Sequence, residues 1–306
     1  MKKMVLTLFL LLLAALGALA VTFTPARLPV PADSSFMTPD AHPPEGMKIA
    51  AVEAGKMFSQ AMFAYRGGRF GEERIFGMGG ILVQHPQGTV LFDTGFGRDV
   101  DAQFKTTPKL MQLTSKYQKE PTAAEQLRAA GIVPSAIYLT HAHWDHVSGV
   151  GDFPGVPVRV PADELAFIKS GDPAAGLAAS FGAGRYEAYD FTGPAYLGFP
   201  SSLDLFGDGS VVLVPAPGHT PGSIVAFIAT PDAKRYALVG DMVWQTEGID
   251  IPAERPWMSR KLVDQDPGRV RANIAHMHQL QEAVPGLIIV PAHDRRVWDA
   301  LPKLGS

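Results

Sequence analysis

The side chains best suited to chemistry crowd into one short stretch, Thr140-His141-Ala142-His143-Trp144-Asp145-His146. On an extended segment, residues two apart point the same way, so His141 and His143 can offer two imidazoles to one ion. Asp145 and His146 follow as the chain turns into a helix and present a second set of ligands to a neighbouring position. Three more candidates come singly: His219 in Pro217-Gly218-His219-Thr220-Pro221-Gly222-Ser223, Asp241 in Val239-Gly240-Asp241, and His293 in Val290-Pro291-Ala292-His293-Asp294. The chain has no cysteine, so a metal site must be built from nitrogen and oxygen, and no disulfide is available. Imidazole and carboxylate suit zinc, and also iron, cobalt or manganese.

The elements that must position these groups can be read around them. Ala136–Leu139 is a short apolar strand running directly into the histidine cluster, and each single candidate likewise follows an apolar run: Val211–Val214 and Ile224–Ile228 flank His219, Tyr236–Val239 precedes Asp241, and Leu287–Val290 precedes His293. Ligands on loops that leave buried strands at one end of a sheet are the usual arrangement of α/β folds. Gly80–Val83 and Thr89–Phe92 read as a hairpin around His85-Pro86-Gln87-Gly88, ending in Asp93-Thr94-Gly95. A helix is predicted over 122–130, where Thr122 and Glu125 make a capping box and Gly131 is the stop. Another is predicted over Pro267–Val284 with Asp266 as N-cap, and a last one from about Arg295 to Leu301. Stretches 171–202 and 246–265 lack periodicity and read as long surface loops near the mouth of the site. His42, His85, His276 and His278 read as structural or solvated. His276 and His278, two apart on a helix, face different directions and do not chelate one ion.

The ordered set His-x-His-x-Asp-His, later His, later Asp, final His resembles the metallo-β-lactamase superfamily from about Gly80 to His293, and Leu91-Phe92-Asp93-Thr94-Gly95 resembles the strand and turn that usually precede that signature. The resemblance implies an α/β, four-layer αβ/βα sandwich. It assigns His141, His143 and His219 to a first metal, Asp145, His146 and His293 to a second, and Asp241 to both. It implies two divalent ions, zinc by preference, sharing a hydroxide that attacks an electrophilic carbonyl or phosphoryl. Asp145 and Asp241 are the candidate catalytic residues, Asp145 for proton delivery, and Asp93 would orient a ligand histidine or fix its loop. Only thirteen residues follow His293, where glyoxalase II relatives carry a helical domain and flavodiiron relatives a flavin domain. An aspartate at the bridging position is similar to the N-acyl-homoserine lactonase-like and organophosphate hydrolase-like branch. One position departs from it. Trp244 stands three residues after Asp241, where well-known lactonases place a tyrosine. An indole has no phenolic hydroxyl, and its ring would narrow and dry the pocket. The expected activity is therefore a lactonase-like ester hydrolase. Alternatives on the same residues are an organophosphate or β-lactam hydrolase, a mononuclear iron persulfide dioxygenase, and a metal-binding protein without turnover.

Composition bounds these readings. The 306 residues are 46% hydrophobic and 19% charged, with a net charge of −3, which fits a globular domain and gives no basic surface for nucleic acid. Lys2 and Lys3 precede an uncharged apolar run from Met4 to Ala20, closed by the small-residue pattern Ala18-Leu19-Ala20. Residues 1–20 thus read as an export signal or N-terminal anchor, placing the protein in the periplasm, outside the cell or on the membrane. Residues 21–46 read as a proline-rich linker and 47–306 as the hydrolase domain. Phe58, Phe63, Tyr65, Phe70, Phe76, Tyr196, Phe199 and Trp244 are the candidate apolar border of the site, implying a small, partly apolar substrate.

Overall fold

A computed structural model describes residues 2–31 and 36–305, so residues 32–35 of the proline-rich stretch, Met1 and Ser306 lie outside it. Two sheets make up the centre. The first holds β1 (Lys48–Gln60), β2 (Glu73–His85), β3 (Gly88–Phe92), β4 (Lys116–Lys119), β5 (Ala136–Tyr138), β6 (Val158–Pro161) and β7 (Tyr186–Tyr189), in the order β4-β1-β2-β3-β5-β6-β7. The second holds β8 (Leu203–Asp204), β9 (Val211–Pro215), β10 (Ile224–Ala229), β11 (Arg235–Gly240) and β12 (Leu287–Pro291), in the order β12-β11-β10-β9-β8.

The alternation of each strand decides the layering. Ile81, Val83, Val90 and Phe92 of the first sheet pack against Leu213, Ala226, Ile228, Leu238 and Val290 of the second, forming the core between the sheets. Their neighbours along the strands, Leu82, Leu91 and Ile137, face outward onto Leu127 and Ile168 of the helices Ala123–Ala129 and Ala162–Lys169. On the far side, Val214, Val225, Ala237 and Ile289 face Ile274, Met277 and Leu280 of the helix Pro267–Ala283. The result is helix, sheet, sheet, helix, with side chains of period two buried on both faces of each sheet.

The predicted caps form. Thr122 Oγ1 accepts from Glu125 N while Glu125 reaches back to Thr122 N, and Asp266 accepts from the amides of Gly268 and Arg269. Stretch 171–202 is not one long loop. It contains the helix Gly176–Ser180 and strand β7, whose four residues Tyr186–Tyr189 are too short for their alternation to stand out. Stretch 246–265 contains the helices Glu247–Asp250 and Trp257–Val263. The proline-rich residues lie against the domain: Leu28 N donates to Pro252 O (2.8 Å), Gln279 Nε2 to Pro31 O (2.6 Å) and His42 N to Asp208 O (2.8 Å).

Candidate metal centre

Strand ends deliver the candidate residues to one place. β5 leads into Thr140–His146, β11 ends at Gly240, and β12, parallel to β11, ends beside it before His293. Gly240 has φ of +53°, a left-handed turn that an L side chain adopts only with strain, and a Cβ there would come within 3.0 Å of Thr140. This turn lets Asp241 leave the strand and enter the site.

The seven residues converge. Ligand atoms of His141, His143 and His219 lie within 4.8 Å of one another, as do those of Asp145, His146 and His293, and those of His141, His146 and Asp241. Asp241 sits between the sets: Oδ1 is 3.0 Å from His293 Nε2 and 3.3 Å from His146 Nε2, while Oδ2 is 3.5 Å from His219 Nε2. Asp145 Oδ2 is 3.4 Å from His293 Nε2. All are buried except Asp145, which is partly exposed.

Whether these residues suit a metal is tested by their unused atoms. Nε2 of His141, His143, His146 and His219 and Oδ1 of Asp241 are buried without a hydrogen-bond partner. Five orphaned polar atoms aimed into one space are costly unless an ion fills it, so the donor set fits divalent metal. The other ring nitrogen is engaged in four of the five histidines. His141 Nδ1 meets Thr140 Oγ1 (3.1 Å), His146 Nδ1 meets Asp93 Oδ2 (2.8 Å), His219 Nδ1 meets Asp264 Oδ1 (2.9 Å) and His293 Nδ1 meets Gly77 O (2.8 Å). Each such contact fixes a ring and leaves Nε2 free to ligate.

Protonation splits the cluster. Burial, followed by the neighbouring imidazoles, pushes His141 and His143 well below the ordinary histidine range, so both are neutral and ready to ligate. Burial also opposes a charge on His146, but Asp93 and Asp241 outweigh it and raise that pKa well above its usual value. His293 is raised against its burial by Asp241 and then Asp145. Burial likewise disfavours the charged Asp241, yet His293 and His146 hold its carboxyl well below the usual range.

Three braces were not legible in the sequence. Glu164, fully buried, accepts from Ala142 N (2.6 Å), Thr220 Oγ1 (2.7 Å) and Gly222 N (2.8 Å), tying the His141–His143 loop to the His219 loop. Gly222 must be glycine, since a Cβ would come within 2.4 Å of Glu164 N. Arg255, also buried, stacks 4.6 Å from the Trp244 ring centroid, donates to Asp241 O, and pairs with Asp264 (3.0 Å). Asp264 in turn holds His219. Neither Arg255 nor Asp264 belongs to a motif, and their segment has no periodicity to announce it. Asp93, singled out from the sequence, accepts from Thr140 N and Thr140 Oγ1 (2.7 Å each) besides its contact with His146.

The expected apolar border divides. Phe76 stacks on His293 (5.8 Å) and against Trp244 (5.6 Å), and Tyr65 joins the same cluster. Trp244 Nε1 donates to Asp241 Oδ2 (2.8 Å). Tyr196 and Phe199 do not border the site. They pack on Phe227 in the outer core, because residues 196–199 fold back as a tight turn beneath the second sheet. His85 stacks on Phe206 and meets Asp208, His276 meets Leu197 O, and His278 meets Ile249 O.

The profile of the metallo-beta-lactamase superfamily matches residues 81–293, the span that carries all seven candidates. The chain belongs to the metallo-beta-lactamase superfamily. Within it, the chain is 32% identical over 231 residues to a probable metallo-hydrolase of Mycobacterium tuberculosis, covering 70% of this chain and 73% of that one. It is 25% identical over 234 residues to the N-acyl homoserine lactonase AttM of Azorhizobium caulinodans, covering 73% and 84%. A solved B. thuringiensis AiiA mutant with N-decanoyl-L-homoserine bound at its active site has the same fold, with a TM-score of 0.66 at 17% identity over 88% of this chain and 99% of the other. This superfamily member is a metal-dependent hydrolase whose histidine and aspartate cluster takes divalent metal.

Proposed function

We propose that the protein is a dinuclear hydrolase of ester or lactone carbonyls on partly apolar substrates. The observation that carries this reading is the position of Asp241, with one carboxylate oxygen against His146 and His293 and the other facing His219. In this reading His141, His143 and His219 hold one ion, Asp145, His146 and His293 the other, and Asp241 reaches both. Bound there, a pair of divalent ions lowers the pKa of water towards ~7 and polarises the substrate carbonyl.

The protein's own groups do the rest. Asp145 is the one candidate that reaches solvent, so it can take the proton released from water and pass it to the leaving oxygen. Phe76 and Trp244 wall the His293 side and exclude water there. With its N–H committed to Asp241, Trp244 orients that carboxylate; it does not offer the substrate a hydrogen bond. Support for an acyl-lactone class comes from AttM and from the acyl-homoserine bound to AiiA.

The deciding experiment combines metal analysis with hydrolysis of lactones, aryl esters, organophosphates and β-lactams by metal-loaded protein. Two equivalents of metal and turnover of lactone or ester, abolished by Asp145→Ala, are expected. One iron per chain with oxygen consumption on a persulfide would overturn the proposal.

A further inference from the structure

The helix Lys2–Val21 has no buried residue and carries charge only at Lys2 and Lys3. Twenty residues make a helix of about 30 Å, the thickness of a bilayer's hydrocarbon core. Its far end is fastened to the domain. Arg66 Nη2 donates to Val21 O (3.0 Å) and Nε to Thr24 O (3.2 Å), Gly67 N donates to Phe23 O (3.1 Å), and the Phe23 and Phe63 rings meet edge to face at 6.2 Å. Whatever surrounds that end of the helix shares its depth relative to a membrane.

What surrounds it is the connection between β1 and β2, residues 61–72, and the helix Trp257–Val263. Ser259 Oγ donates to Phe63 O (2.8 Å), and Arg66 N donates to Glu254 O (2.9 Å). From these two segments project Phe63, Phe70 (85% exposed), Trp257 (46%) and Leu262 (58%), with Arg69 and Lys261 exposed among them. Large apolar side chains interleaved with cations are the composition of a surface that rests in the headgroup region. The helix Trp257–Val263 is also bracketed by Arg255 and Asp264, which reach Asp241 and His219. The apolar rim and the metal cluster are thus joined by one short segment.

We propose that the N-terminal helix is retained as an anchor and that residues 61–72 and 257–263 lie on the bilayer surface, so that substrates are amphiphilic acyl compounds taken from the membrane. Lys2 and Lys3 place the N-terminus on the cytoplasmic side and the domain on the other. The substrate clause rests on the hydrolase reading above; the membrane clause does not.

The test uses the full chain. Intact mass of protein recovered from membranes is expected to include residues 2–20, and a mature chain beginning at Val21 in the soluble fraction overturns the proposal. The purified full chain is then placed in phosphatidylglycerol vesicles containing phosphatidylcholine brominated on its acyl chains. Loss of tryptophan emission is expected, and Trp257→Phe should remove most of that loss. Emission unchanged by brominated lipid overturns the membrane contact, whatever the enzyme hydrolyses. Finally, Leu262→Ser should lower the rate on a long-chain lactone held in vesicles severalfold and leave a water-soluble short-chain lactone unchanged. Equal loss on both overturns the substrate clause.

Discussion

The two sides of the metal cluster are braced by different means. Around His141, His143 and His146, the supports are carboxylates that accept backbone amides and hydroxyls: Asp93 from Thr140, and Glu164 from Ala142, Thr220 and Gly222. Around His219 and Asp241 the support adds one buried cation, Arg255, held between an indole, a carbonyl and Asp264. The first brace comes from Asp93, just after β3, and from Glu164 in the helix Ala162–Lys169. The second is supplied by an irregular segment, so the same metal chemistry can be combined with different rims.

The point where both braces meet should be the most sensitive. Asp241→Ala is expected to reduce bound metal to one equivalent or less and hydrolysis by about a thousandfold or more, since metal charge stabilisation is worth several kcal/mol. Metal analysis beside kinetics checks this. Next comes the cationic brace. Arg255→Met leaves the buried Asp264 without its cationic partner, a loss of about 3–5 kcal/mol by chemical denaturation. A loss under ~1 kcal/mol would mean that the two sides do not differ as described.

The sharpest comparison pairs Asp93→Asn with Asp264→Asn. Each removes the carboxylate behind one ligand histidine, His146 or His219, and should weaken metal affinity about 10–100-fold. Chelator competition should show a different one of two equivalents weakened in each variant. If both variants weaken the same equivalent, the division into two sites is wrong.

Glu164 offers a pH signature. Burial pushes its carboxyl up to about 7, against the hydrogen bonds from Thr220, Ala142 and Gly222 that lower it. A folded pKa above the unfolded value of 4.5 favours folding below that value, and the contribution is lost as pH rises towards about 7. Glu164→Gln should cost about 1–3 kcal/mol and remove this decline from melts taken between those pH values. The smallest effect belongs to Trp244→Phe, which keeps a ring under Arg255 and deletes one hydrogen bond to Asp241. About 0.5–1.5 kcal/mol, a few-fold in kcat/KM, is expected.

Much of the catalytic side was readable because strand ends and ligand spacing obey local rules. Ala136–Tyr138 running into His141–His146, the Thr122 capping box and the Asp266 cap all involve neighbours in sequence. What escaped reading depends on distant partners. Arg255 is a buried charge whose meaning comes only from Asp264, Asp241 and Trp244, and Glu164 gains its role from a glycine 58 positions away. Strand β1, thirteen residues long, was hidden as well. Its pattern breaks at the bulge between Glu53 and Gly55, which interrupts period two. Tyr196 and Phe199 were misplaced for a related reason: aromatic composition says that a side chain packs, and only topology says against what.

The tie between Arg255 and Asp264 has an evolutionary reach. It clamps the two ends of a short stretch whose middle, Trp257–Val263, exposes Trp257, Lys261 and Leu262. Its exposed positions, Trp257, Lys261 and Leu262, can be rewritten in charge or greasiness while both clamped ends keep their grip on Asp241 and His219. Diversification of what this scaffold meets at its surface therefore need not retune the reaction beneath.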